Sequence, residues 1–348
     1  MKRLKTTASA ALSEPRIVQL SANLFAVCLD VMKIIPAKYI LEHAWQKGLI
    51  NKDTLIVESS SGNFALGLAI VCREMGLKLC IVGDPAIDVH LQNMLRNLDV
   101  TVEIIAKPDH LGSFQRLRLK RINEILHEKP NAFWVQQYDN PFNPASYQGL
   151  ASMLIDEFGL EMDLIASVGS GGSSVGLASG LRKHNFVGRV TGVDTFNSVL
   201  FGLPDGKRTL RGLGNSIVPK ILDHCQFDSI HWLCSEMGNR GALALHARHG
   251  LFCGPTSGAA YWVAQYLASQ RGDHPRVFIA PDTGYRYQTL YQDEWRALAT
   301  ETPAKLPSVP SPVQSVEEVR ADSQWSCIEW QKKTLVQQVS MAAEECNR

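Results

Sequence analysis

The stretch from Leu55 to Gly76, LIVESSSGNFALGLAIVCREMG, constrains this chain more than any other. It reads as a short apolar strand, a loop of small hydroxyl residues, and a helix that is apolar almost all round from Phe64 to Cys72. A helix without a polar face belongs inside a core, and Gly76 supplies its stop signal. A buried strand feeding a buried helix through a tight loop is half of a βαβ unit, which requires a parallel sheet covered on both faces. The loop Ser59–Ser60–Ser61–Gly62–Asn63 opens the helix, where free N–H groups and the helix dipole favour an anion. A plain Ser or Asn cap on a core helix explains the same residues equally well.

The alternation continues on both sides. Strands are expected at 78–82, 100–105, 133–137, 163–168, 189–193 and 277–280, with helices at 32–47, 89–98, 113–126, 145–158, from the loop 169–174 to Lys183, 236–249, and from the tight loop 253–257 to about Ser269. The fold class is therefore α/β, with two lobes of mostly parallel sheet. A turn-rich break from Asp139 to Pro144 marks a crossing between them. The chain of 348 residues is long enough for two cores. Residues 1–15 read as a disordered leader, and the Pro/Ser-rich segment after residue 300 as a linker. A weak amphipathic helix is expected over 328–343, in a tail suited to tethering or docking.

Formal net charge is +1, from 35 Lys and Arg against 34 Asp and Glu. This balance argues against electrostatic capture of nucleic acid or of an anionic membrane. Every apolar run is interrupted before it could span a bilayer. The eight cysteines form no CxxC pair. They read as reduced thiols of a cytoplasmic protein, with no metal site.

Three further loops lie at expected strand ends: GSGGSS (Gly169–Ser174), CGPTSGAA (Cys253–Ala260) and PDTGYRY (Pro281–Tyr287). The first suits a phosphate, because glycines admit close approach and successive N–H groups cradle an anion. Ligands of open α/β sheets gather at the carboxyl ends of the strands. Spacing alone leaves the ligand unnamed.

Together these loops resemble the fold-type II pyridoxal-phosphate enzymes, the cysteine synthase and tryptophan synthase β family, over about residues 16–298. Within that family, MKxxPAKYIxEH (Met32–His43), ESxSGN (Glu58–Asn63) and GLGNSIVPKIL (Gly212–Leu222) look similar to one branch. That branch makes N-(2-amino-2-carboxyethyl)-L-glutamate from O-phospho-L-serine and L-glutamate, toward 2,3-diaminopropionate for a siderophore. The resemblance implies two three-layer αβα lobes: a smaller one over 36–148, with its moving part at about 78–125, and a larger one over 16–35 and 149–300.

It also implies pyridoxal 5′-phosphate as cofactor and Lys33 as the lysine that carries it. Asn63 would bind the cofactor's 3′-oxygen. Gly169, Ser170, Gly171, Gly172 and Ser173 would bind its phosphate. Thr256 would face the ring nitrogen, with Ser257 beside it. Ser60, Ser61 and Gly62 would hold the substrate α-carboxylate, with Gln137 nearby. The activity implied is β-replacement on O-phospho-L-serine or another O-activated serine, through an aminoacrylate intermediate, with an amino-acid amine as nucleophile. The alternatives are a sulfide-using cysteine synthase and a cofactor-binding scaffold without catalysis. A homodimer acting on small amino acids is implied as well. The sequence departs from the family before the lysine: the loop Val27–Val31 is short, and Ile34 and Ile35 stand where a polar pair is usual.

Overall fold

The computed structural model describes residues 4–85, 87–108, 114–210, 212–270, 272–293 and 306–339. The chain divides into two compact units. The first comprises residues 1–15 and 29–146, the second 16–28 and 147–348. The chain thus passes into the second unit at Tyr147, just after the turn-rich break, and residues 29–35 belong to the first unit rather than to the larger one.

The first unit is built on four parallel strands in the order β5–β4–β3–β6, namely Thr101–Ile104, Lys78–Gly83, Leu55–Ser59 and Ala132–Trp134. Side chains alternate across a strand, and the apolar sets on the two faces separate accordingly. Ile56, Leu79 and Ile81 join a core with α2 (Ile34–Gln46) and α3 (Asn63–Met75). Val57, Cys80 and Val82 pack with Ile122 and Ile125 of α5 (Phe114–Glu128) on the other face. A parallel sheet covered on both faces is what its continuous apolar strands require. Helix α2 buries Ile34, Ala37, Ile40, Leu41 and Ala44, a stripe at helical spacing, while Tyr39 faces outward at 42% exposure.

The N-terminal residues are more ordered than a leader. Helix α1 (Ala8–Leu12) is capped by Thr7, and Ser9 donates its backbone N–H to Glu74 at 2.7 Å. A single buried serine paired with a carboxylate 65 positions away carries no local sequence pattern, so nothing in residues 1–15 announces the contact.

The second unit holds an eight-stranded sheet. Strands β2 (Leu24–Cys28), β10 (Arg276–Ala280), β7 (Asp163–Ser167), β8 (Val190–Thr195) and β9 (Ser229–Leu233) run parallel. Strand β1 (Arg16–Ser21) is antiparallel to β2 at one edge. Helices α7 (Gln148–Phe158), α8 (Gly172–Arg182), α9 (Ser235–His249) and α10 (Pro255–Ser269) connect these strands.

The tail contradicts the expectation of a tether. Strand β12 (Trp325–Glu329) pairs antiparallel with β9, and β11 (Ser311–Pro312) adds to it. Trp325 and Trp330 are fully buried, and the Trp325 indole donates to His231 at 3.1 Å. Of the helix expected over 328–343, residues 335–339 are helical, whereas 328 and 329 belong to β12, where the aromatic anchors outweigh helical spacing because β-structure rewards packing on a half-buried surface. Residues 301–305 of the expected linker and 340–343 of the expected helix lie outside the described residues. Among the described residues, no helix is long and apolar enough to cross a membrane, and no cluster of metal-ligating side chains occurs.

Candidate active site

In the first unit the site begins where Lys33 enters α2. The chain leaves β2 at Cys28 and turns at once, with Ile34 and Ile35 donating to the carbonyls of Val31 and Met32. Ile34 is fully buried in the core shared with α3, and Ile35 packs against that core. The apolar pair after the lysine therefore anchors the helix. Gly67 of α3 permits this placement, since a Cβ there would lie 2.9 Å from the Lys33 carbonyl oxygen. A glycine inside a helix costs stability, and close backbone approach is its use here.

Burial holds the Lys33 amine down to about 8, opposed by the negative charge of Glu58. Desolvation penalises an ammonium and a nearby carboxylate favours it, and here desolvation dominates. Glu58 is itself 1% exposed. Burial pushes its carboxyl up to about 7, opposed by N–H donors from Ser59, Gln137, Trp134 and Gln136.

The hydroxyl loop follows Glu58 directly. Gly62, not a serine, is the N-cap residue of α3, and no side chain caps that end. The serine hydroxyls have other roles. The Ser61 hydroxyl donates to Asp84 at 3.1 Å and accepts from Arg118 at 2.9 Å, and Arg118 pairs with Asp84 at 3.3 Å. Both charged side chains are about one-tenth exposed, so this is a desolvated ion pair fixed by a hydroxyl. Ser60 is 5% exposed, with Asn63 at the first helical position. Gln137 is also buried, but its amide donates to the Ser59 carbonyl at 2.9 Å, so it braces the loop.

The second unit supplies the other loops. Gly171, at φ +84°, is the N-cap of α8, again without a side-chain cap. That left-handed backbone favours glycine. The Ser174 hydroxyl donates back to the Gly171 carbonyl at 3.2 Å. Gly169 is approached by Gly212, whose oxygen a Cβ at 169 would meet at 2.7 Å. The GLGNS segment thus packs against the glycine loop, and Asn215 donates to the Gly169 carbonyl at 3.4 Å. Helix α10 starts at Pro255 after Gly254, also without a side-chain cap. The Thr256 carbonyl accepts from Ser167 at 3.0 Å. Ser257 is fully buried and its hydroxyl has no hydrogen-bond partner among the described residues. A buried hydroxyl without a partner costs free energy unless something else satisfies it. It is the second hydroxyl of the TS pair, Ser257, whose geometry calls for an outside partner.

In the first unit a lysine with a lowered amine and an uncapped helix start, and in the second two uncapped helix starts, glycines at 169 and 171 that a Cβ would crowd and an orphaned hydroxyl, each have the chemistry to hold part of a phosphorylated aldehyde cofactor. The family description "Pyridoxal-phosphate dependent enzyme" matches residues 31–282. This chain belongs to that family. Pyridoxal phosphate is its cofactor, and the match spans Lys33, the hydroxyl loop, the glycine loop and the start of α10.

Among curated proteins, the enzyme is 35% identical over 292 residues to an N-(2-amino-2-carboxyethyl)-L-glutamate synthase of Ralstonia nicotianae, covering 82% of this chain and 86% of that protein. A protein of the same name from Cupriavidus metallidurans is 35% identical over 288 residues, covering 79% and 84%. Among solved structures, the O-acetylserine dependent cystathionine β-synthase of Helicobacter pylori superposes with a TM-score of 0.74 at 25% identity, over 82% of this chain and 98% of that one. An O-acetyl serine sulfhydrylase isoform of Entamoeba histolytica shares the fold, with a TM-score of 0.76 at 22% identity, over 84% and 92%. The enzyme is a fold-type II, cysteine synthase-like α/β protein.

Several residues of this site escape sequence reasoning. Arg118 sits in a run of alternating Arg and Leu or Lys that reads as a solvated helix face, and Asp84 follows a strand like any turn residue. Glu58 does carry a local signal: an acid in the last turn of an otherwise apolar, buried strand needs a reason to be there.

Proposed function

We propose that the enzyme replaces the β-substituent of O-phospho-L-serine with the amine of L-glutamate, giving N-(2-amino-2-carboxyethyl)-L-glutamate, a precursor of 2,3-diaminopropionate. The observation that carries this reading is the identity of 35% across most of both chains to two synthases of that name. The loops that the chemistry requires are all present in this chain.

The proposed roles follow from what each group can do. When bound, the cofactor supplies an aldehyde for the amine of Lys33 or of the substrate and a ring that accepts electrons. Lys33 holds it. With its amine near 8, a useful fraction is neutral at neutral pH and can accept the substrate's α-proton. Asn63 binds the ring oxygen, while residues 169–173 hold the phosphate through N–H groups and hydroxyls. The hydroxyls of Thr256 and Ser257 would face the ring nitrogen. They are uncharged, so they leave that nitrogen unprotonated and favour loss of a β-leaving group over prolonged carbanion chemistry. Ser60, Ser61 and Gly62 bind the α-carboxylate at the start of α3. Arg118, fixed by Asp84, adds positive charge to that loop. The enzyme is proposed to act as a cytoplasmic homodimer on small amino acids.

The test is phosphate release from O-phospho-L-serine by the purified, cofactor-loaded enzyme. The expected result is release that requires L-glutamate, with the adduct seen by mass spectrometry. Turnover with sulfide far above that with glutamate would instead make the enzyme a cysteine synthase. No turnover with any acceptor would leave a cofactor-binding scaffold.

A further inference from the structure

The family description ends at residue 282, yet the tail beyond it is built into the second unit. After β12 the chain turns sharply. Gln331 and Lys332 adopt φ +58° and +57°, two left-handed residues with a Cβ in succession, a costly arrangement that persists only where the surroundings impose it. Trp330 and Gln331 donate to the Asp228 carbonyl at 2.9 and 3.0 Å, and Lys332 donates to the Phe227 carbonyl at 2.8 Å. The Asp228 carboxylate accepts from the Val190 N–H at 2.8 Å and pairs with Arg182 of α8 and with Lys332, each at 3.4 Å. The turn seats the fully buried Trp330 edge-on to Phe201, with ring centres 5.2 Å apart, and 6.0 Å from the His224 ring. His224 in turn donates to the Leu200 carbonyl at 2.7 Å. Three more tail side chains, Val316, Leu335 and Val339, lie 3.3–3.5 Å from where a Cβ on Gly202 would stand.

The segment these residues grip is the irregular one after β8, with glycines at 202, 206, 212 and 214 and little order of its own. Its other side meets the glycine loop. The Ser198 hydroxyl accepts the N–H groups of Leu200 and Asn215 at 3.4 and 3.1 Å, and the Val199 N–H donates to the Asn215 carbonyl at 3.0 Å. The Gly214 N–H donates to the Val168 carbonyl at 2.9 Å, and the Asn215 amide to that of Gly169 at 3.4 Å. Leu222 lies 3.0–3.2 Å from where a Cβ on Gly171 would stand. Direct contacts therefore run from the tail through residues 198–215 to residues 168–171.

We propose that the C-terminal tail is a strap that holds residues 198–215 against the glycine loop and thereby sets the affinity of the enzyme for the phosphate of its cofactor. This deepens the proposed function, since it rests on residues 169–173 as the phosphate loop. Trp330 and Val316 act as positioning residues. Neither belongs to the loop, and both bear on the segment that backs it. A loop ordered in advance binds more tightly than one that must be ordered by its ligand.

The experiment compares binding of pyridoxal 5′-phosphate and of pyridoxal, the same aldehyde without the phosphate, to the full-length protein stripped of cofactor. In Trp330→Ala the dissociation constant for pyridoxal 5′-phosphate should rise about 10-fold while that for pyridoxal changes by less than about twofold, because only the phosphate needs the ordered loop. Val316→Ala, a smaller cavity that keeps the chain folded, should give the same pattern at about 3-fold. Hydrogen exchange should quicken over residues 198–215 in both. Phe158→Ala, which removes the ring packed on Phe25 at 5.0 Å, serves as a control for destabilisation elsewhere in the unit and should leave the preference for the phosphorylated aldehyde unchanged. Equal weakening for both aldehydes, an unchanged constant in both strap variants, or the same loss of preference in Phe158→Ala would overturn the proposal. Gly169→Val separates the two readings. Loss of preference there but not in the strap variants overturns the strap alone, whereas full preference in Gly169→Val overturns the phosphate loop and the strap with it.

Discussion

In the proposed function the two units meet the same general problem, holding a charged small molecule, with opposite means. The loop of the second unit, residues 169–173, contains only glycine and serine. Its proposed means are backbone N–H groups at the start of α8, with Gly169 and Gly171 at positions that a Cβ would crowd or strain. The first unit surrounds its loop with ionisable groups: Lys33, Glu58, Asp84 and Arg118, all desolvated or paired. The difference fits the two tasks. A phosphate keeps its charge throughout a reaction, so fixed dipoles suffice and no proton need move. A reacting amino acid gains and loses protons, which requires a group such as Lys33, whose charge can change near neutrality.

The sharpest test of this contrast is Lys33→Ala. Removing the group that moves protons should lower turnover by about 10²- to 10⁴-fold, while the cofactor still binds reversibly through the second unit's loop. Equilibrium dialysis of the cofactor alongside steady-state kinetics reads both quantities. Loss of binding as complete as loss of turnover would break the division of labour.

The reciprocal change is Gly169→Val. The added side chain meets the Gly212 oxygen, and overpacking of this kind typically costs about 1–3 kcal/mol. Cofactor affinity should weaken by roughly 5- to 150-fold, with kcat of the saturated enzyme little changed. Ser257→Ala is milder. It removes one hydroxyl without a partner among the described residues, so the cofactor's dissociation constant should rise by about fivefold, the equivalent of one net hydrogen bond. Thermal stability of the cofactor-free chain should hold or improve, since the orphaned group is gone.

The smallest effect is on stability against pH. Glu58 titrates at about 7 in the folded chain against an ordinary 4.5. The folded state therefore holds more protons across that window, and stability falls as pH rises through it. Lys33 titrates at about 8 against an ordinary 10.5. The folded state holds fewer protons there, so the cost of burying the ammonium is relieved, and stability rises as pH climbs from 8 toward 10.5. Urea melts of the cofactor-free protein should show both limbs. Lys33→Met should flatten the upper one alone.

Much of the architecture is legible in the chain because its signals are local. Apolar strands bounded by Gly and Ser, helices at period 3.6, and glycine loops between them specify a parallel α/β protein, and the strand ends mark where a ligand collects. Lys33 is different. No local pattern distinguishes it from Lys38, which lies on a half-exposed stretch of α2 and pairs with Glu42. The sequence reaches Lys33 only through the resemblance of its surroundings to a known family. The tail was misread for a related reason. Trp325 and Trp330 gain their weight from β9 and from aromatic neighbours such as Phe201 and His224, about a hundred positions or more away.

By itself, then, the sequence determined the fold class, the hydroxyl and glycine loops and the family, since backbone geometry at turns and helix ends depends on the residues at those positions. Tertiary structure alone decided which groups are desolvated and what they pair with. Ser61 meets Asp84 and Arg118, Glu58 closes on Gln137 and Trp134, and Ser257 is left with its hydroxyl unsatisfied. Charge state and hydrogen-bond satisfaction depend on every group within a few ångströms. A chain brings such groups together only by folding.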